Sequence, residues 1–491
     1  MLVTMPEGDL MVTFASLLSP EQIERVHVAS LEILENIGLL VRHEKARIIF
    51  ARHGCKVVGE SQIVKFPRNV VENFRATVPP NFTFRGWDSR YDRTIPEDGP
   101  IIITGSSAPN IIDPVTGRER RSRSDDIARI AHLINELPGY DVFSVSTLAE
   151  DAPPGQFTLA RLYPALKYCL KPIRITTKDL GDAQSVLKLG HLIAGSEETF
   201  FERPFITFHF CPIVSPLTMD YASTEMLIFF TGKKLPVYPS IVPNAGLTSP
   251  MSLAGTLAQG NAEFLAAAIL MQMVEPNTPL IYSTLPTVAD MRTGAYASGG
   301  IECGMLHMAF AQMAHYYNVP CGGYIGLTNA KIDDAQSGFE TGMSSLAGLL
   351  AGVDMLNMGG LLDSLKVFDF GKAVVDDEIA QMLKRVKRGF EFNDEDLALE
   401  VIAEVGPGGS FLINRHTVKR MKTTALLPKL ANRDSRDTWE DNGALDTHAR
   451  AMLRVRDILA RESAAVFSPE VDARIRDNFP GLVAGNLKVP E

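Results

Sequence analysis

Two metal-capable pairs, three tyrosines and one arginine are the residues here whose types and spacing point to chemistry. His209 and Cys211 stand two apart in an apolar run, so on a strand they would face the same way. Cys303 and His307 stand four apart and would share one face of a helix. A catalytic zinc takes three protein ligands. Neither pair has an evident third, so no metal is expected. Tyr238, Tyr282 and Tyr324 recur in three successive apolar runs. Each alone reads as a packed ring whose hydroxyl finds a partner, while together at one rim their faces could hold a quaternary ammonium. Arg292 has the fork that grips a carboxylate, and it also has Asp290 and Glu302 beside it as ion-pair partners. Both readings of Arg292 stand at this point. No GxxxxGK[ST], GxSxG or HExxH run occurs, so the chain presents no phosphate cradle, activated serine or helical zinc pair of its own.

These side chains need a frame, and from residue 100 onward the sequence repeats one. Short apolar runs lie at 100–104, 140–146, 172–176, 204–210, 236–241, 279–283, 320–325 and 353–358. Most begin with Pro, which suits the first position of a strand because no ladder donor is needed there. Between them lie amphipathic helical patterns, clearest at 253–274, 301–317 and 335–350. Eight strands alternating with helices predict a (β/α)₈ TIM barrel over 100–376. A doubly wound sheet is the alternative, but no GxGxxG follows the first strand.

Residues 1–99 read as an α+β cap. Ser19 with Gln22 forms a capping box opening a helix toward Gly38, a second helix follows at 44–53, and strands are expected near 62–66 and 81–86. Residues 377–491 read as a helical extension, with helices near 377–388, 394–404 and 446–461 around an irregular stretch at 406–442.

Barrels of this kind carry their chemistry at the C-terminal ends of the strands. That rule selects His209, Tyr238, Tyr282, Tyr324, Arg292 and Asn357 as substrate-binding candidates. Ser106, Asp290, Asn329, Lys331, Asp334 and Gln336 join them in the following loops.

A net charge of -10 argues against nucleic acid, which needs a basic field. The apolar stretch 10–18 follows Glu7 and Asp9, where a leader would carry positive charge. No apolar run is long enough to span a bilayer. Five scattered cysteines without a CxxC pair fit a reducing compartment, so a cytoplasmic protein is expected.

Five segments resemble the trimethylamine:corrinoid methyltransferase family: GSSAPNIID at 105–113, PMSLAGTLAQGNAE at 250–263, DMRTG at 290–294, LTNAKIDDAQSGFE at 327–340 and GPGGSFL at 406–412. The resemblance runs from about residue 20 to 465. Family members are (β/α)₈ barrels that hand a methyl group from an amine to the Co(I) of a corrinoid (cobalamin) carried by a separate protein. The archaeal trimethylamine enzymes carry pyrrolysine near a late strand, where 324–331 here holds standard residues only. The chain thus resembles the non-pyrrolysine branch, some of whose members demethylate glycine betaine and other quaternary amines. Asn329-Ala330-Lys331 stands where the family pattern has Asp-Ser-Lys, which puts a role for the first two positions in doubt. The resemblance implies a small quaternary amine substrate, a cognate corrinoid protein as partner, no covalently bound cofactor, and possible assembly into a homo-oligomer. Two other readings remain open on the residues alone: a metal-assisted lyase or hydrolase using the Cys/His set, and a non-catalytic binding protein for a methylated amine.

Overall fold

The computed structural model describes residues 15–463 and 466–488, so most of the 10–18 stretch lies outside the described residues. Eight parallel strands occur where the apolar runs predict them: β1 (Ile101–Ile103), β2 (Phe143–Ser144), β3 (Ile173–Ile175), β4 (Ile206–Phe210), β5 (Val237–Ile241), β6 (Tyr282–Thr284), β7 (Cys321–Gly323) and β8 (Met355–Asn357). They pair in chain order, β8 pairs with β1, and a parallel bridge from Ile103 to Val142 joins β1 to the β2 run. The barrel is therefore closed. Eight helices cover it: α1 (Ser124–Glu136), α2 (Phe157–Tyr168), α3 (Leu180–Ala194), α4 (Ala222–Gly232), α5 (Leu253–Val274), α6 (Ile301–Tyr317), α7 (Ala335–Leu350) and α8 (Phe370–Arg388).

The α8 helix crosses the expected boundary at 376/377 without a break. The Asp376–Asp377 pair at that boundary is buried at both carboxylates. Asp376 pairs with Lys372 and accepts the Gly360 N–H, while Asp377 accepts the Gly139 N–H.

The register decides which side chains enter the barrel. Ser144, Arg174 and Thr207 are neighbours in the ladder, as are His209 with Tyr238, Ser240 with Ser283, Gly322 with Met355, and Asn357 with Ile103. Paired residues share a face and alternate residues reverse it. Arg174 and His209 therefore point inward with Tyr238, Ser283 and Asn357, whereas Tyr282 and Thr284 point out toward the helices.

The helix α5 is apolar on nearly all sides, the pattern of a helix without a solvent face. The N-terminal cap explains it. Helices Pro20–Glu32, Glu44–Arg52 and Arg68–Arg75 pack over α5, and the first is opened by the expected Ser19/Gln22 capping box. Strands Leu39–Val41, Lys56–Val58 and Ile63–Lys65 form a sheet with Ile213–Val214 and Thr218–Met219 from the loop after β4. A hairpin of Phe82–Phe84 with Arg93–Ile95 precedes β1 and so closes the barrel's N-terminal end. Its Phe82 and Phe84 rings meet Tyr238 edge-on at 5.6 and 6.2 Å.

At the other end of the chain, Thr447–Leu459 packs along α8 and α1, and Pro469–Asn478 packs on α3. Between α8 and these helices, 389–446 holds only short turns of helix. No helix among the described residues is long and apolar enough to cross a membrane.

Candidate functional site

The inward residues converge on one guanidinium. Arg174, in the middle of β3, is 1% exposed. Its Nε donates to Ser144 Oγ at 3.0 Å, Nη1 to the Tyr238 hydroxyl at 2.9 Å, and Nη2 to the Tyr324 hydroxyl at 3.0 Å and to Ser106 Oγ at 3.4 Å. Ser106 and the Tyr324 hydroxyl are themselves 3.0 Å apart. The His209 ring lies 5.1 Å from the Tyr238 ring and 6.1 Å from the Tyr324 ring. A narrow cleft of about 10 Å³, room for about one water, lies here between Ser106, Ser144, Arg161, Arg174, Thr176 and His209.

The electrostatics of this cluster are lopsided. Arg174 keeps its charge at any working pH, yet every protein group it bonds is a neutral hydroxyl. Other deeply buried cations are matched differently: Lys372 by Asp376, Arg129 by Asp126, Lys171 by three backbone carbonyls, and Arg161 by two backbone carbonyls and the Ser107 hydroxyl. A buried charge without an opposite charge costs several kcal/mol. Burial, reinforced by Arg174, holds the His209 imidazole well below its usual range, so it is neutral. Burial pushes the Tyr238 phenol up to about 12 against the pull of Arg174, so it stays a hydroxyl. Among the described residues, Thr207 Oγ1, His209 Nε2 and both atoms of the Asn357 amide face the barrel interior, buried and without a partner.

The structure thus gathers Ser106, His209, Tyr238 and Tyr324 around Arg174 and turns Asn357 inward. Tyr282 belongs elsewhere. Its ring stacks on Phe264 at 3.7 Å and its hydroxyl donates to Asn261 Oδ1 at 2.7 Å, because the β6 register turns residue 282 to the helical layer. The three-tyrosine rim is corrected to two. Arg292 is corrected as well: its side chain is 87% exposed and forks onto Asp290 at 2.6 and 3.0 Å. That pair holds the Asp290 carboxyl down at about 2.

The remaining loop candidates hold the mouth together. Asn329 ties three loops, donating to Tyr296 O at 2.9 Å and Ser364 Oγ at 2.7 Å and accepting the Gly299 N–H at 2.8 Å. Lys331 pairs with Asp363 at 2.6 Å, Asp334 caps α7, and Gln336 donates to Glu340 at 3.0 Å. His307 bonds Thr284 at 3.2 Å and the Tyr324 carbonyl at 3.1 Å, and so steadies the end of β7. Cys303 donates its thiol to Ala297 O.

Arg174 is the site residue that sequence reasoning missed. The signal was a lone arginine in the strand Pro172-Ile-Arg-Ile-Thr176. Flanking isoleucines want the helical layer, so alternation drives the arginine inside. The rule used to choose candidates looks at strand ends and passed over the strand's middle.

Comparison with known proteins agrees with this architecture. A model of the trimethylamine methyltransferase family matches residues 5–480. The glycine betaine methyltransferase of Desulfitobacterium hafniense is 32% identical over 464 residues, covering 94% of this chain and 96% of that one. A trimethylamine methyltransferase of the same species is 29% identical over 458 residues, covering 93% and 92%. Among solved structures, the monomethylamine methyltransferase of Methanosarcina barkeri superposes with a TM-score of 0.50 at 12% identity, covering 94% of this chain and 93% of that one, which shows a shared fold. With the family model spanning almost its whole length and a relative above 30% identity covering 94% of it, this chain belongs to the trimethylamine methyltransferase family.

Proposed function

We propose that this protein transfers a methyl group from a small quaternary amine to the Co(I) of a corrinoid held by a separate protein. The observation that carries the reading is the pairing of family membership with a dry, aromatic-lined interior around Tyr238 and Tyr324. The corrinoid supplies the nucleophile, and a quaternary nitrogen departs as a neutral tertiary amine without being protonated. The protein's own share is to orient the amine, exclude water and hold charge. Phe82 and Phe84 pack against Tyr238 and Arg174 lies 5.3 Å over one face of the Tyr324 ring, so the face offered to a cation is the other face of Tyr324. A neutral His209 adds no competing charge. Five free cysteines and a reduced acceptor both suit a reducing cytoplasm, which belongs to the same reading. So does self-association. The segment after α8 exposes Leu412 and Ile413, apolar area on which two copies can meet.

The test is methyl transfer to reduced cobalamin, or to a corrinoid protein, followed anaerobically by absorbance. Quaternary amines should react far faster than trimethylamine, and a chelator should leave the rate unchanged. Trimethylamine as the best donor, or loss of turnover on chelation, would overturn the reading.

A further inference from the structure

The uncompensated charge of Arg174 has an orienting consequence for whatever enters the barrel. A carboxylate is the group that completes it, since a guanidinium bonded only to hydroxyls lacks an anion and not merely hydrogen-bond acceptors. Arg161 adds to the same field. It is 4% exposed and lines the same cavity, with Nε on the Thr147 carbonyl at 3.0 Å and Nη2 on Ser107 Oγ at 3.0 Å and the Val145 carbonyl at 3.2 Å. Among the described residues neither arginine forms an ion pair: Asp182 acts on Arg161 only at longer range, and the groups acting on Arg174 are the Tyr238 and Tyr324 hydroxyls. The unpartnered His209 Nε2 faces this cavity too. A simple cation entering would meet two buried positive charges, which raises its energy in a low-dielectric site. A zwitterion brings its own anion, and its two ends are sorted by the field.

We propose that Arg174 is the specificity-determining carboxylate anchor of the site. The substrates are then betaines, zwitterions with a carboxylate close to the quaternary nitrogen, and not carboxylate-free quaternary amines. The carboxylate sits inward on Arg174 and displaces hydroxyl contacts, since the cleft as it stands has room for about one water. The ammonium is turned away from both guanidinium groups, so its methyl groups face the mouth where the acceptor arrives. The Tyr238 and Tyr324 hydroxyls fix the Arg174 fork, and the cation packs on the Tyr324 face opposite the one that Arg174 covers at 5.3 Å. This rests on the methyl-transfer reading above, but its test reads binding.

Titration calorimetry on the full-length protein would compare three probes: glycine betaine, choline (the cation without a carboxylate) and N,N-dimethylglycine (the carboxylate without a quaternary nitrogen). Glycine betaine should bind about thirtyfold or more tightly than choline, the scale of losing one partner of a buried charge pair. Arg174→Met should erase that preference. Arg174→Lys, which keeps charge but loses the fork, should keep part of it and guards against a variant that fails to fold. Thermal melts would confirm that both variants are folded. If choline binds and donates methyl as well as glycine betaine in both wild type and Arg174→Met, the anchor is refuted while the methyl-transfer reading stands. If dimethylglycine binds in an Arg174-dependent way but no quaternary amine transfers methyl, the anchor stands and the methyl-transfer reading falls. If none of the three probes binds, both are refuted.

Discussion

The barrel interior and the segment 389–427 break the usual sorting of side chains in opposite directions. Inside the barrel, polar groups are kept dry: Arg174 at 1% exposure, Asn357 at 0%, His209 at 5%. In the segment after α8, apolar groups stand in water: Phe392 at 73%, Leu412 at 79%, Ile413 at 87%. The difference lies in what surrounds each. Eight paired strands and a shell of helices over-determine the interior, so it can hold groups that are costly in isolation. The segment has short helices of four to seven residues, Asp394–Leu397, Leu399–Val405 and Arg415–Arg420, too short to be stable without packing. One region stores electrostatic cost for a ligand. The other exposes apolar area, which burial against another macromolecule would remove from water.

The same interaction should therefore have a different worth in the two regions. Lys372 and Asp376 pair in α8 with both side chains 1% exposed, and Lys372 also donates to Thr341 Oγ1 at 3.0 Å. Lys372→Met leaves the Asp376 carboxylate buried and unmatched, and should destabilise the protein by about 3–5 kcal/mol in denaturant unfolding. Lys419 and Glu395 pair at 3.1 Å with 73% and 67% of their side chains exposed. Lys419→Ala should cost no more than about 1 kcal/mol. Equal costs would mean that the segment is buried in the working assembly.

Function should divide along the same line. Tyr324→Leu removes a π face and the hydroxyl bonded to Arg174, and should weaken quaternary amine binding by about 0.5–2 kcal/mol while folding persists. Tyr324→Phe keeps the face and should retain the cation contribution. Leu412→Asp with Ile413→Asp should leave kcat and KM unchanged but shift sedimentation toward smaller species. A drop in turnover from the latter pair with no change in mass would tie the segment to the mouth and dissolve the contrast.

The two regions also differed in how far the sequence could be read. The barrel was legible because its strands repeat one local signal, an apolar run often begun by proline, and closure follows from their number. The runs predicted at 172–176 and 236–241 contain β3 and β5 within one residue at each end. Facing is harder, because it depends on register with neighbouring strands. Tyr238 and Tyr282 look alike in sequence, and only the pairing of Ser240 with Ser283 turns them to opposite sides. Arg174 was hidden for a related reason: an arginine amid isoleucines looks anomalous until alternation places it inside. In 389–446 no periodicity dominates. The expected helix at 394–404 is split at Ala398, which adopts φ +52°, a break that alanine itself does not announce.

Carboxylates in the two regions should titrate with opposite sign. Burial raises the Asp333 carboxyl, beside the Asp334 cap of α7 in the barrel's β7–α7 loop, to about 6, although Lys372 pulls the other way. In the segment, Lys419 and Arg420 lower Glu395. Asp333 binds a proton more readily folded than unfolded, so its contribution to stability is fully present below about pH 4 and is lost as pH rises through 6. Glu395 behaves conversely, contributing stability near neutrality that is lost as pH falls through its lowered folded value. Asp333→Asn mimics the protonated form at every pH and keeps an acceptor for the Ser337 hydroxyl, which bonds Asp333 at 2.8 Å. The variant should match wild type near pH 4 and exceed it by roughly 1–2 kcal/mol at pH 8. Glu395→Gln should match wild type under acid conditions and fall slightly below it near neutrality. Unfolding curves at several pH values would read both. A wild-type advantage over Asp333→Asn at pH 8 would mean that attraction to Lys372 outweighs burial, and that this carboxylate is held as a charged partner in the same network as Asp376.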